Sequence, residues 1–336
     1  MSDTSSIPPR AAGPSGVDAA VHMAKQLFWR FPIVWLLVVL VCAAAIITPQ
    51  ILTVGNLLLM LRQYSALGII SIGVTFVVLC GRLDVSVGSL ASLMVVVSIT
   101  LHDLLGPTGA VLVAFATAAL VGCINGVLVA YLRLSSLVTT LGMFAALQGV
   151  ANVIGIGGRQ VVAEPDLSWL SFVGRGFVLG IPVPVWIFAA VAAGSAWIMA
   201  GTNFGRSVRA VGGSEKASTY SSIDAKAIIF WCFMIAALCT WLGGLIMASR
   251  TMQAQATSGM GYEILALSAI FLGGTSLGGG VGGMGRTVIG VIVLACVSNS
   301  LILIGAPAQA QWLASGTIIV VAVWLDSLAR KRSLLA

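Results

Sequence analysis

The chain has 336 residues, of which 59% are hydrophobic and only 8% are charged, and its mean hydropathy is +1.08. Soluble domains carry about a quarter charged residues, so this composition excludes a soluble globular domain and predicts an integral membrane protein. The net charge of +7 does not indicate nucleic-acid binding, because the basic residues stand singly between apolar segments and form no stripe.

The polar residues 1–31 precede the first apolar run and predict a disordered cytoplasmic tail before an uncleaved first span. Ten apolar segments follow, and a transmembrane helix needs roughly 17–25 such residues. The predicted spans are 33–48, 64–81, 85–101, 108–131, 135–156, 182–200, 226–248, 262–281, 286–304 and 312–329. Segment 51–63 is too short for a span and is expected to lie at the interface or to re-enter. The sequence thus predicts an all-α polytopic membrane protein of about ten transmembrane helices.

The basic residues set the predicted orientation. With both termini in the cytoplasm, 13 of the 17 Lys and Arg residues lie on the cytoplasmic side, as the positive-inside rule requires. The four that face out are Arg62, Arg159, Arg175 and Arg250. The transmembrane domain then covers 32–329, and 330–336 form a basic cytoplasmic tail.

Two long loops follow from this topology. Residues 157–181 form a periplasmic loop and residues 201–226 a cytoplasmic loop, with five spans on either side of the periplasmic loop. An odd number of spans in each half is typical of an inverted-topology repeat, a frequent plan in transporters.

The cytoplasmic loop is expected to contain a short amphipathic helix. Gly212 and Gly213 interrupt the chain, Ser214 can cap the helix that follows, and Glu215 suits its first turn. The chain has no phosphate-binding loop of its own, so such a cytoplasmic helix is a natural contact for a partner ATPase. A plain connector with basic residues is the alternative.

The stretch GRLDVSVG, residues 81–88, places a carboxylate between two apolar segments. In one interpretation Asp84 caps the next helix by accepting from the N–H of Ser86 or of the following residue, with Arg82 as its candidate ion-pair partner. In the other, the break lines the transport path and opens to solute. We favour the cap, with a gating function built on it.

Eight glycines occur in the 13 residues 273–285. The segment 274–278 matches a nucleophile elbow, but a triad needs a histidine base, and only His22 and His102 occur, in the tail and at a span end. The segment 280–285 matches a dinucleotide fingerprint but lacks the preceding strand. The glycines instead indicate close helix packing, or a broken helix beside an aqueous path.

Four motifs in order resemble the permeases of bacterial ATP-binding-cassette importers for monosaccharides, the ribose, xylose, arabinose and galactose group. They are GRLDVSVGS from Gly81, NGVLVAYLR from Asn125 leading to LVTTLGM, FGRSVRAVGGSEKA from Phe204, and FLGGTSLGG from Phe271. The resemblance covers roughly residues 50–328. The first motif departs from the family pattern, in which two glycines and an isoleucine usually precede the aspartate.

The resemblance implies a transport subunit, not an enzyme, that moves a pentose or hexose into the cytoplasm by alternating access across the bacterial inner membrane. It implies three partners: a cytoplasmic ATPase, a periplasmic sugar-binding protein, and a second permease copy or paralogue. ATP and magnesium belong to the ATPase, and no cofactor or metal is expected on this chain. The residues implied to couple to the ATPase are Phe204, Gly205, Arg206, Ala210, Gly212, Gly213 and Glu215.

Two further sets of residues are candidates for the transport path itself. A gating or hinge role is predicted for Asp84, Ser86, Gly88, Gly273 and Gly274. The candidate path residues are Asn125, Thr139, Gln148 and Asn299, for which interhelical hydrogen bonding is the alternative.

Two other functions remain as alternatives. One is an ATP-independent, proton-coupled carrier, for which Asp84 and Glu263 are the candidate intramembrane carboxylates. The other is an importer of the same type with a non-sugar substrate such as a nucleoside.

Overall fold

The computed structural model describes residues 48–155, 160–161 and 168–307, with isolated positions at 309–310, 313, 316–317 and 320. The helices within these ranges are α1 (Val54–Leu79), α2 (Val87–Thr100), α3 (His102–Gly126), α4 (Ser136–Ile154), α5 (Trp169–Arg175), α6 (Val183–Gly201), α7 (Asn203–Gly213), α8 (Glu215–Tyr220), α9 (Ala225–Thr251), α10 (Tyr262–Leu272) and α11 (Met284–Leu303). A 3-10 turn, Pro49–Leu52, precedes α1, and a π-helical turn, Val127–Tyr131, extends α3.

Four two-residue strands complete the described elements. They are β1 (Gln160–Val161), β2 (Phe177–Val178), β3 (Ile181–Pro182) and β4 (Gln253–Ala254). β1 pairs with β4 and β2 pairs with β3, both antiparallel.

Six helices in the described part of the chain are long and apolar enough to cross a membrane, namely α1, α3 with its π turn, α4, α6, α9 and α11. α2 and α10 are apolar but have only 14 and 11 residues. At 1.5 Å per residue α2 is about 21 Å long, which is less than the roughly 30 Å of a hydrocarbon core. The structure is therefore a mostly helical, multi-pass membrane protein, as predicted, but the predicted spans 85–101 and 262–281 are too long.

The predicted start of the span 64–81 is also wrong. Most of segment 51–63 belongs to α1, which begins at Val54, where the Thr53 hydroxyl accepts from the Asn56 N–H. Polar residues in the first turns lower the local hydropathy, so a hydropathy criterion does not recognise this part of the helix. Arg62 is accommodated there because its Nε donates to the Gly174 carbonyl, in the last turn of α5, at 3.0 Å.

The predicted span 262–281 ends early for a different reason. α10 stops at Leu272, and the glycine-rich loop, residues 273–283, leaves the helix with several residues in the left-handed region. The predicted tails 1–31 and 330–336 lie outside the described residues, as does the predicted span 33–48 except for its last residue. Only isolated positions of the predicted span 312–329 are described.

The centre of the fold is the packing of α1 against α9, with α2 enclosed between α9, α3 and α4. Every residue of α2 from Val87 to Ile99 is buried. Small residues allow the close approach: a Cβ at Gly243 would lie 2.7 Å from Ile70, and one at Gly244 would lie 2.6 Å from Met94. These two glycines thus bring α9 into direct contact with α1 and α2.

The segment predicted as a cytoplasmic loop folds into two helices instead of the one predicted. α8 begins where predicted, with the Ser214 hydroxyl accepting from the Ala217 N–H at 3.2 Å. α7 precedes it and begins where the Thr202 hydroxyl accepts from the Gly205 N–H at 3.2 Å. Its buried positions recur every third residue, which orients the other face away from the helix bundle.

Candidate functional site: the break, the coupling helices and the transport path

The chain breaks between α1 and α2 at residues 80–86, and side chains of α4 hold the break. The N–H of Leu83 donates to the Ser136 hydroxyl at 3.2 Å, and the N–H of Val85 donates to the Thr140 hydroxyl at 3.2 Å. A buried N–H without a partner costs roughly 1–3 kcal/mol. These two bonds therefore fix the break against the first two turns of α4.

Asp84 completes the hydrogen bonding of the break. Its Oδ1 accepts from the N–H of Ser86 at 2.9 Å and from the hydroxyl of Ser86 at 2.6 Å. The side-chain amide of Asn125, on α3, donates to the same hydroxyl at 3.0 Å. The predicted bond between Asp84 and the Ser86 N–H is therefore present, but α2 begins only at Val87, with Ser86 at its N-cap position and no side-chain cap. Asp84 thus stabilises the break and does not cap the helix as predicted. Asp84 is only 3% exposed, and its network links the break to α3.

Backbone glycines join the break to α7 and to the glycine-rich loop. We call Gly81, Gly212, Gly279 and Gly280 the glycine junction. The N–H of Gly280 donates to the carbonyl of Leu79 at 2.9 Å. A Cβ at Gly212 would collide with that carbonyl, and a Cβ at Gly279 would lie 2.8 Å from the Gly212 oxygen. The ends of α1 and α7 and the glycine-rich loop are thus in direct backbone contact, with no room for side chains.

An ion pair makes a second connection at the same place. The Nη2 of Arg82 lies 2.5 Å from the Oε2 of Glu215 in the first turn of α8, and the two side chains are 31% and 42% exposed. The expectation that Arg82 pairs with Asp84 is wrong, because Asp84 is enclosed with Ser86 whereas the guanidinium of Arg82 reaches α8.

The seven residues predicted to couple to an ATPase fall on two faces of α7 and α8. Arg206, Ala210 and Gly213 are exposed. Gly205 is buried, and a Cβ there would lie 2.5 Å from the Cα of Met199. This glycine allows α7 to pack on the end of α6.

The other three predicted coupling residues also face inward. The half-buried ring of Phe204 lies 6.3 Å from that of Phe76, while Gly212 belongs to the glycine junction and Glu215 binds Arg82. Three exposed residues beside them were not among the predicted coupling residues. These are Arg209, Lys216 and Tyr220, of which Tyr220 is 91% exposed.

Gly88, a predicted hinge residue, lies where α2 meets the start of α10. A Cβ at Gly88 would collide with the Glu263 carboxylate and would lie 2.9 Å from the Gly259 oxygen. The N–H of Gly259 in turn donates to the Ser92 hydroxyl at 2.9 Å. Both oxygens of Glu263 accept from the Gly261 N–H at 3.1 Å, so this carboxylate is bound to backbone.

Gly273 and Gly274, the other predicted hinge residues, begin the glycine-rich loop. A Cβ at Gly273 would collide with the carbonyl of Arg286. Gly274 has φ of 79°, in the left-handed region that favours glycine, and its carbonyl accepts from Arg286 Nη1 at 3.2 Å. The loop therefore packs directly on the start of α11.

The four residues predicted for the transport path lie at separate places. Among the described residues, none of the four hydrogen-bonds to another. Asn125 binds Ser86, and Gln148 donates from Nε2 to the Ala256 carbonyl at 2.8 Å. Asn299 lies on α11 and is 9% exposed.

The fourth, Thr139, lines a cavity of about 490 Å³ between the end of α3 and the first half of α4. Its lining residues are mostly apolar and are Leu128, Leu134, Ser135, Val138, Thr139, Gly142, Met143 and Ala146. The volume lies within the roughly 300–1,000 Å³ of small-molecule sites.

Three arginines predicted to face out form a cluster that the sequence analysis did not anticipate. Arg62 Nε donates to the Gly174 carbonyl at 3.0 Å, and Arg175 Nε donates to the Arg250 carbonyl at 3.0 Å. Gly174 itself packs on the backbone of Arg250. In the described part of the chain, no carboxylate pairs with any of the three. Arg159, the fourth predicted to face out, lies outside the described residues.

Comparison with known proteins identifies the family. The family model described as the branched-chain amino acid transport system permease component matches residues 56–323, which is most of the chain. The chain belongs to this permease family. The matched segment contains the break, the glycine junction and the whole of α7 and α8, so the geometry described above lies within the family fold.

Curated relatives of this permease match nearly its whole length. The ribose import permease protein RbsC of Haemophilus influenzae is 35% identical, over 87% of this chain and 91% of its own. The L-arabinose ABC transporter permease protein AraH of Azospirillum brasilense is 32% identical, over 96% of both chains. The D-allose transport system permease protein AlsC of Escherichia coli K12 is 32% identical, over 91% of this chain and 94% of its own. No solved structure matches significantly.

The comparisons confirm the resemblance drawn from the four sequence motifs. The relatives are permease components of ATP-binding-cassette importers, and such components transport rather than catalyse.

Proposed function

We propose that this permease imports a monosaccharide of the pentose or hexose type into the cytoplasm by alternating access. The observation that carries the proposal is the near-complete coverage by relatives named for ribose, L-arabinose and D-allose. ATP and magnesium are bound and ATP is hydrolysed on a separate cytoplasmic chain, and a periplasmic binding protein delivers the sugar at the inner membrane.

The ATPase docks on the exposed face of α7 and α8. This face presents Arg206 and Arg209 on α7 and Lys216 and Tyr220 on α8, all exposed. Tyrosine and arginine are enriched among the residues that dominate binding energy at protein interfaces. The 91% exposure of Tyr220 supports its role as the aromatic anchor of this contact.

A second permease copy packs against α4 and completes the transport path. Only 17% of the α4 span is buried, against 61% of the α1 span. Its open face carries Gly142, Ala146 and Gly149, and a Cβ at either glycine would meet nothing within 4 Å. Small residues of this kind are enriched where membrane helices pack. The cavity beside Thr139 lies along the same helix, so two copies would enclose a path between them.

The binding protein docks on the outer face, where Arg62, Arg175 and Arg250 form a cationic cluster. Three guanidinium groups without a carboxylate partner in the described residues favour an acidic surface on the docking protein.

Transport in proteoliposomes tests the proposal. The permease, its ATPase and its binding protein are reconstituted with ATP inside, and uptake of labelled ribose, arabinose and allose is measured. We expect uptake of one sugar that requires both ATP and the binding protein. Uptake that survives without ATP and collapses with the proton gradient would establish the carrier instead.

The docking face is tested by copurification. Arg206→Glu and Tyr220→Ala should each weaken retention of the ATPase by about tenfold or more, since loss of an interface anchor costs about 2 kcal/mol. Lys226→Glu, which reverses an exposed charge on the first turn of α9, is the matched control and should retain the ATPase. Equal retention by all three variants would place the docking surface elsewhere.

A further inference from the structure

The two cytoplasmic helices are attached to the break by two different contacts. α7 reaches it through Gly212, which packs on the carbonyl of Leu79 at the end of α1. α8 reaches it through Glu215, whose carboxylate lies 2.5 Å from the guanidinium of Arg82. In the described part of the chain, this is the only ion pair between a carboxylate and a Lys or Arg.

Arg82 occupies the point where the helix becomes the break. Its N–H donates to the Val77 carbonyl at 3.1 Å, so its backbone still closes the last turn of α1. The next residue, Leu83, donates to the Ser136 hydroxyl at the start of α4. A displacement of α8 that pulls on the guanidinium therefore acts on the end of α1 and on the start of α4 at once.

Among the described residues, the other cations of the coupling helices make no such connection. The Arg206 guanidinium binds Asn203 within α7, and Arg209 and Lys216 are exposed. Glu215 thus differs from its neighbours in facing into the permease.

We propose that Arg82 is a positioning residue through which Glu215 sets the conformation of the break, so that Glu215 relays movement inside the permease and does not bind the ATPase. This inference rests on the proposed function, because it takes α7 and α8 as the docking helices. Arg82 stands in the first motif where the family usually has a glycine. We infer that this arginine controls the coupling between ATP hydrolysis and transport.

Charge exchange in the complete reconstituted importer tests the relay. Arg82→Glu and Glu215→Arg are compared with the double exchange Arg82→Glu/Glu215→Arg, with Arg82→Lys as the conservative variant and Lys226→Glu as the control. Three quantities are measured: retention of the ATPase, the rate of ATP hydrolysis, and sugar molecules imported per ATP.

We expect both single reversals to retain the ATPase but to lower the sugar imported per ATP by about fivefold or more, because each replaces an attraction with a repulsion in a partly buried pair. The double exchange and Arg82→Lys should restore the ratio to within about twofold of wild type. Lys226→Glu should leave all three quantities unchanged.

Three results would overturn the inference. One is an unchanged ratio in Arg82→Glu, and another is a double exchange as poor as the worse single variant. The third is loss of the ATPase from Glu215→Arg alone, which would make Glu215 a docking residue. Failure of the wild-type permease to retain an ATPase would instead overturn the proposed function. Thermal unfolding of each purified variant in detergent separates misfolding from a coupling defect.

Discussion

The break at residues 80–86 and the glycine-rich loop at residues 273–283 interrupt the helix bundle in different ways. The break is held by polar side chains, with Ser136 and Thr140 accepting from its backbone and Asp84 accepting from Ser86. The loop is held by backbone packing, because Gly273 and Gly279 leave no space for a Cβ. The first segment is therefore sensitive to loss of a hydrogen-bonding group, whereas the second is sensitive to added volume.

This difference suits the positions of the two segments. The glycine junction has no side chains that could change rotamer, so we expect it to act as a rigid contact between α1, α7 and the loop. The side-chain bonds of the break can be made and broken individually, since each contributes about 1 kcal/mol. The glycine junction therefore lies next to a segment whose hydrogen bonds can break one at a time. In this arrangement a displacement of α7 or α8 can rearrange the break.

The largest effect is expected from adding a Cβ to the junction. In Gly279→Ala the new atom would lie 2.7 Å from the Gly81 nitrogen, and φ of 80° at this position is unfavourable for alanine. Overpacking and backbone strain together should cost about 3 kcal/mol or more. The unfolding temperature in detergent and the rate of sugar uptake should both fall.

A glycine in the same loop provides the matched control. A Cβ at Gly283 would meet nothing within 4 Å, and its φ of 171° is extended backbone. Gly283→Ala should therefore unfold at a temperature close to that of the wild type. Equal stability of the two variants would show that the junction is loosely packed. It would contradict the claim that the loop, unlike the break, is sensitive to added volume.

An intermediate effect is expected at Asp84. Asp84→Ala removes the acceptor of two hydrogen bonds in a buried site and should destabilise the permease by about 2–3 kcal/mol. Asp84→Asn keeps a carbonyl oxygen at that position and should lose only about 1 kcal/mol. The free energies of unfolding are compared with sugar uptake in the same preparations. Full uptake by Asp84→Asn would limit Asp84 to a structural role in the break and remove it from gating.

Local contacts of this kind were predictable from the sequence, and distant ones were not. The bonds from Ser86 to Asp84 and from Ala217 to Ser214 follow from short-range capping patterns, and the order of the four motifs indicated the family. The pair between Arg82 and Glu215 spans 133 positions. Hydropathy also could not place the start of α1, because polar residues interrupt its first turns, and it could not distinguish the short buried helix α2 from a span.

The packing partners of the glycines were also not predictable from the sequence. Their density in residues 273–285 indicated close packing or a turn, but the partners of that packing come from α1 and α7 and depend on the tertiary fold. Gly212 is tightly packed, whereas a Cβ at Gly213 would meet nothing within 4 Å. The sequence cannot show this difference, because both residues are glycine.

The smallest effect is expected from a single hydroxyl of α4. Thr140 accepts from the Val85 N–H at 3.2 Å and donates to the Ser136 carbonyl at 2.9 Å. Thr140→Val keeps the shape of the side chain but leaves the Val85 N–H without this acceptor, which should cost about 1–2 kcal/mol in the free energy of unfolding. Thr139→Val, one position earlier, faces the cavity and should unfold like wild type. If both variants unfold alike, the bond from Val85 to Thr140 does not hold the break, and the Ser136 bond and Asp84 with its partners must fix that segment.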